Sequence, residues 1–221
     1  MNGEPRRTSL STELREDPGR RCSPEQPLVN AGRLGDTHAL VVMQPSPLRI
    51  EPIAGYSPTI GRLVCMLTYA RSTTLAAVEG LTRAELDHLH DEDSNSIGAL
   101  LTHIAVVEMS YQVLTFEERA LSEHENESWL AALKLGAKAR DALRGFELEH
   151  YLAQLASTRQ VTLSGLAARD DAWLERSVSP APKINAHWAW FHQAEDEINH
   201  RGQIRWLRAR LPERSLDDSV T

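Results

Sequence analysis

The chain has 221 residues, a formal net charge of −7 and two cysteines. That length suits one domain with a tail and can bury a sizeable core without disulfide or metal staples. The acidic balance lacks the basic face that a nucleic-acid partner requires. No apolar run of about 18 residues stands out as a membrane span, and neither Cys22 nor Cys65 belongs to a CxxC pair.

Residues 1–48 mix Pro, Gly, Ser and Arg with balancing acids and little periodicity, the composition of a disordered extension. Their only apolar patch is Ala39–Met43, and Met43 offers an alternative start. Unpaired cysteines, and arginines with no apolar core behind them at the N-terminus, suit a cytoplasmic protein rather than a secreted one.

The folded part is expected over residues 49–214, with a short tail at 215–221. Ser57-Pro58 pairs a capping residue with a good first helical residue. Apolar positions Ile60, Leu63, Val64, Leu67, Ala70, Thr74 and Val78 follow at helical spacing, predicting a helix over 57–79 that Gly80 ends. Thr82 and Glu85 form a capping-box pattern for a short turn. Asp93–Ser96 offers caps for a second long helix over 95–121, with the stripe Ile97, Leu100, Leu101, Ile104, Val107, Tyr111 and Leu114. Ser122–Glu127 reads as a polar connection, and 128–144 as an amphipathic piece. Leu148, Leu152, Leu155, Thr162 and Leu166 mark a third long helix over 148–169. Pro180 and Pro182 make 177–183 a loop, and a fourth long helix runs over 185–210, stopped before Pro212. With no alternating strand pattern, the class is all-α: an up-down four-helix bundle.

The last helix carries the chemistry. Asp196 and His200 are four apart, which puts both side chains on one face, one turn apart, where they can converge on one cation. A third ligand has to come from elsewhere. His103, inside the apolar stretch LLTHIAVV, is the best placed. The same residues also read without a metal: His103 as a buried histidine satisfied by one hydrogen bond, and Glu195, Asp196, Glu197 and Arg201 as surface ion pairs. Trp188, Trp190 and Trp206 read as core and helix contacts. Tyr111 either lines a pocket two turns beyond His103 or packs, and Asn199 and Gln203 lie close to the acid-and-histidine face. A di-iron reading would need Glu-x-x-His pairs on facing helices. Of Glu85–His88, Glu147–His150 and Glu197–His200, only the last is mid-helix.

Two segments, NSIGALLTHIAVVEMSYQVLTFEER (95–119) and HWAWFHQAEDEINHRGQIRWLRARLP (187–212), resemble the second and closing helices of the DinB-like family. That family includes mycothiol- and bacillithiol-dependent transferases, and the resemblance covers roughly residues 55–212. It implies a divalent metal ion (zinc, nickel or iron) held by three residues. The usual three histidines fall on His103, Asp196 and His200, so aspartate stands in the middle position. Two histidines and one carboxylate with open positions resemble a non-haem iron set; His192 and Glu195 are nearby alternates. The implied activity is a metal-dependent thiol transfer to a small electrophile, with a low-molecular-weight thiol as cofactor, in a homodimer. The alternative is a non-catalytic metal-binding or interaction module of a stress response.

Overall fold

In the computed structural model, residues 48–180 and 183–213 are described; the expected extension before residue 48, Cys22, Met43 and the tail at 215–221 lie outside them. In chain order the elements are α1 (Pro58–Val78), α2 (Arg83–Asp87), α3 (Ile97–Phe116), α4 (Glu123–Lys134), α5 (Ala137–Ala142), α6 (Leu148–Ala167), α7 (Asp171–Leu174), β1 (Ser177–Pro180), β2 (Lys183–Asn185) and α8 (Ala186–Arg208). The four long helices are α1, α3, α6 and α8, as their apolar spacing predicts.

Three local expectations are corrected. The second long helix ends at Phe116 rather than near 121, because Glu118 adopts φ of 53°, a left-handed conformation no helix continues through. Residues 122–127 are not a polar connection. Ser122 and Glu125 form a capping box that starts α4 five residues before the expected piece, and Leu135 and Gly136 at positive φ separate it from α5. Part of the loop expected over 177–183 is a two-stranded antiparallel ladder, β1 with β2, too short to display a period-two pattern.

Ser57 sits at the N-cap of α1, but its side chain does not cap it. The cap comes from Asp171 of α7. Its carboxylate accepts the Ser57 hydroxyl at 2.6 Å, the Thr59 amide at 2.9 Å and the Ile60 amide at 3.1 Å. The Ser57 hydroxyl and these amides hold the Asp171 carboxyl down at about 2. Elsewhere the expected caps act, Thr82 with Glu85 on α2 and Ser96 on α3, and Asn185 caps α8.

Helix directions follow from which residues meet. Arg71 bonds Glu197 and Arg208 bonds the Ala77 carbonyl, so α1 and α8 run parallel. Gln112 bonds Thr158 and Arg169 bonds the Phe116 carbonyl, so α3 and α6 run parallel. The two pairs oppose each other, so the all-α bundle stands but its long helices run up-down-down-up rather than in the simple up-down order expected, and α4 returns the chain alongside α3. Helix α3 is long and apolar enough to cross a membrane by composition, yet 67% of it is buried inside the fold, as suits a core helix.

The core has two apolar halves. One gathers Val78, Leu86, Leu101, Ile104, Leu155 and Ile204; the other gathers Ile60, Leu63, Leu67, Leu166, Leu174 and Trp190. Between them lies a layer of four buried charges: Arg71, Glu108, Arg159 and Glu197. Arg71 donates to Glu197 at 2.7 Å and Glu108 at 2.9 Å; Arg159 donates to Glu108 at 2.6 Å and Glu197 at 3.0 Å. Thr162 adds a hydroxyl to Glu108 at 2.6 Å. Two cations balance two anions and almost every polar atom is bonded, which is the condition under which such burial is tolerated. Burial works to raise the Glu108 carboxyl, but Arg159 and Arg71 outweigh it and hold it below the usual range. Glu197, read from the sequence as part of a surface ion-pair face, is thus buried and ties α8 to α1 and α6.

Candidate metal centre

The charge layer fixes how α8 is turned against α3. Glu197 points inward, so Asp196, its neighbour, points into the groove that α8 forms with α3. His200 lies one turn further on the same face. His103 enters that groove from the middle of α3. Its Nε2 is 3.6 Å from Asp196 Oδ2, and His200 Nε2 is 3.4 Å from Asp196 Oδ1. The two imidazoles stand edge to face with centroids 4.4 Å apart. One donor atom from each of the three residues lies within 4.8 Å of the others. Donors around a tetrahedral ion with bonds of about 2.1 Å are about 3.4 Å apart, so the triangle is of the right size. Among the described residues no other such group of three comes together.

The surroundings favour the same orientation. His103 Nδ1 lies 2.7 Å from the Ala132 carbonyl of α4. With Nδ1–H donating there, the Nε2 lone pair is left facing Asp196, the arrangement that orients metal-ligating histidines. The single hydrogen bond expected of a buried histidine is therefore present, and it leaves the other ring nitrogen free for the site. Asp196 Oδ2 and His200 Nδ1 are buried without a hydrogen-bond partner among the described residues. Buried polar atoms are seldom left this way. Two imidazoles, one carboxylate and these unpaired atoms fit a divalent cation.

Burial alone would raise the Asp196 carboxyl, but the two imidazoles beside it override this and hold it well below the ordinary carboxylate range. For His103, burial opposes protonation, while Asp196 and the Ala132 carbonyl favour it and prevail, giving a net rise.

The alternates lie elsewhere. His192 pairs through Nδ1 with Glu195 at 2.8 Å, one turn before Asp196. Glu195 also accepts from the Asn199 amide. Tyr111 is half-buried and faces His192 across the groove; burial, then the charges of Asp196 and Glu195, push its hydroxyl up to about 12. At the opposite end, Asp93, Ser94, Asn95, Asn199, Gln203 and Trp206 help to line an open cavity of about 510 Å³. Of the three tryptophans read as core, only Trp190 is buried; Trp188 and Trp206 are exposed. The di-iron reading fails on Glu197, which Arg71 and Arg159 engage, and on Glu147, which sits at the N-cap of α6.

Fold and site together define a helical bundle with a histidine–aspartate–histidine cluster in an interhelical groove. The family model described as mycothiol-S-transferase matches residues 62–212, and the chain belongs to that family, within the DinB-like group. A solved structure described as the conserved protein of locus from Enterococcus faecalis superposes with a TM-score of 0.53 at 16% identity. The match covers 66% of this chain and 92% of that one, and supports the fold. No curated protein matches the chain.

Proposed function

We propose that the protein is a metal-dependent transferase that joins a low-molecular-weight thiol of the mycothiol type to a small electrophile. The donor triangle of His103, Asp196 and His200 carries this reading. Those residues would hold zinc, nickel or iron(II), whose chemistry there is to lower the pKa of a bound thiol and keep it as thiolate at neutral pH. Cys65, the cysteine among the described residues, is buried, which favours a thiol nucleophile supplied by a cofactor. Asp196 tunes the site's charge. One carboxylate against a divalent cation leaves a single positive charge, which one thiolate neutralises; three neutral histidines would leave two.

His103 is held by the Ala132 carbonyl and Asp196 by its place next to inward-facing Glu197, so both donors are set before any ligand arrives. The test is conjugation of mycothiol to an electrophile by protein loaded with each of the three metals, against metal-stripped protein. Thioether formation that depends on metal supports the proposal. Tight metal binding with no thiol transfer across varied electrophiles replaces it with a non-catalytic metal-binding module.

A further inference from the structure

The α3–α8 groove continues past the donor triangle. Because the two helices are antiparallel, Tyr111 and His192 meet two turns along from His103 and His200, just past Asp196, with ring centroids 6.0 Å apart at 72°. His192 and Asp196 are one helical turn apart, about 6 Å along the axis. Helical side chains lean toward the N-terminus of their own helix, so Tyr111 leans back toward His103 and its hydroxyl approaches Asp196. That hydroxyl has no hydrogen-bond partner among the described residues. His192 is oriented instead: Nδ1–H donates to Glu195 at 2.8 Å, which leaves Nε2 as a lone pair. Glu195 is steadied by the Asn199 amide at 2.9 Å. Trp188 tilts over the same imidazole, centroids 4.8 Å apart at 36°, and is itself exposed. The rings of Tyr111 and Trp188, the Tyr111 hydroxyl and the oriented His192 imidazole thus stand beside the triangle. One side of the Tyr111 ring packs on the core next to Trp190, but its hydroxyl and the imidazole are used by neither the packing nor the donor set.

We propose that Tyr111, His192 and Trp188 form the second-substrate subsite, taking a planar aromatic electrophile activated by a conjugated carbonyl, whose oxygen accepts a hydrogen bond from Tyr111. The proposal rests on the thiol-transfer reading above. In the step it describes, the thiolate sulfur bonds to the β-carbon of the conjugated system. The C=C π pair moves toward the carbonyl oxygen, where the Tyr111 hydroxyl stabilises the enolate by donating to it. His192 Nε2 accepts the proton released by the thiol and returns it to the α-carbon. A thiol and an enone become a thioether ketone, with no leaving group and no change of oxidant.

The experiment uses benzalacetone, a planar aromatic enone, with the full-length metal-loaded protein. Calorimetric titration without thiol reads the subsite alone. Wild type is expected to bind, and Tyr111→Phe and Trp188→Ala to weaken binding at least five-fold with bound metal unchanged. In conjugation assays with mycothiol, Tyr111→Phe should lower kcat for benzalacetone at least ten-fold but leave kcat for benzyl chloride, which has no carbonyl, near wild type. Binding of benzalacetone without any thioether product would overturn thiol transfer and leave the subsite standing. Conjugation by both variants at wild-type rates, equal loss with both electrophiles, or no binding to wild type would overturn the subsite.

Discussion

Arg71 and Arg159 are reciprocal: each donates to the main-chain carbonyl one turn before the other, Arg71 to Leu155 at 2.6 Å and Arg159 to Leu67 at 2.7 Å. Each also places its Nε on the carboxylate of a different helix, Arg71 on Glu197 and Arg159 on Glu108. An approximate two-fold axis therefore passes through the charge layer, exchanging α1 with α6 and α3 with α8. Both the inward turn of α8 and the aim of Asp196 into the α3–α8 groove depend on this layer.

Removing one charge from the layer should be severe. Arg159→Met leaves Glu108 and Glu197 sharing one cation in a dry interior, a change expected to cost about 3–5 kcal/mol in urea unfolding. Replacing all four charged residues by apolar ones of similar volume should recover most of that loss. A single-variant cost below about 1 kcal/mol would mean that water reaches the layer.

For the donor triangle, His103→Ala and His200→Ala should each sharply reduce metal bound at equilibrium, measured by elemental analysis of the purified protein. Asp196→His completes a three-histidine set and should bind at least as tightly. Full occupancy in His200→Ala would place the ion elsewhere.

Asp171 makes stability depend on acid. Its folded-state value of about 2 lies below the ordinary carboxylate value of about 3.9. Its contribution is thus fully present above about pH 4 and is lost as pH falls through about 2. Asp171→Asn should lower Tm at pH 7, and the gap from wild type should narrow as the pH is taken down through this window. A gap that stays constant to pH 2 would contradict the capping role.

Tyr69, Phe191 and Ile198 are exposed on α1 and α8, with relative exposures of 42%, 50% and 36%. A set of this kind on two parallel helices suits pairing with a second copy, and we propose a homodimer through it. Light scattering at high micromolar concentration should give twice the chain mass, and Phe191→Asp should halve it. A wild-type monomer at that concentration removes the proposal.

The helices were legible because apolar spacing is local, and so were Asp196 and His200, one turn apart on one helix. His103 was legible as a histidine within an apolar stripe. The same signal was present for Arg71, four after Leu67, for Glu108, four after Ile104, and for Arg159, four after Leu155. Each is a charge on a core stripe, and together they leave one positive charge that Glu197 balances. Glu197 was harder to read, because acids and amides around it make that part of α8 look solvated. The cap on α1 was not legible, since Ser57 and Asp171 lie more than a hundred residues apart. Trp188 and Trp206 carry large apolar surface, but side-chain size alone does not fix which way a helical residue faces.

The two-fold axis bears on ancestry and on design. Counting from Glu108 and Glu197, His103 and His192 are each the fifth residue before, while Tyr111 and His200 are each the third after. Asp196 comes directly before Glu197, and its counterpart directly before Glu108 is Val107. One groove thus carries the same plan twice. The end that has an aspartate gathers ion-binding donors, and the end that has a valine gathers aromatic rings. If the bundle grew from a repeated helical hairpin, its two halves divided their labour at a single methyl-bearing position. A carboxylate introduced at Val107 would then be the shortest route from an aromatic rung to a second cluster of ligands.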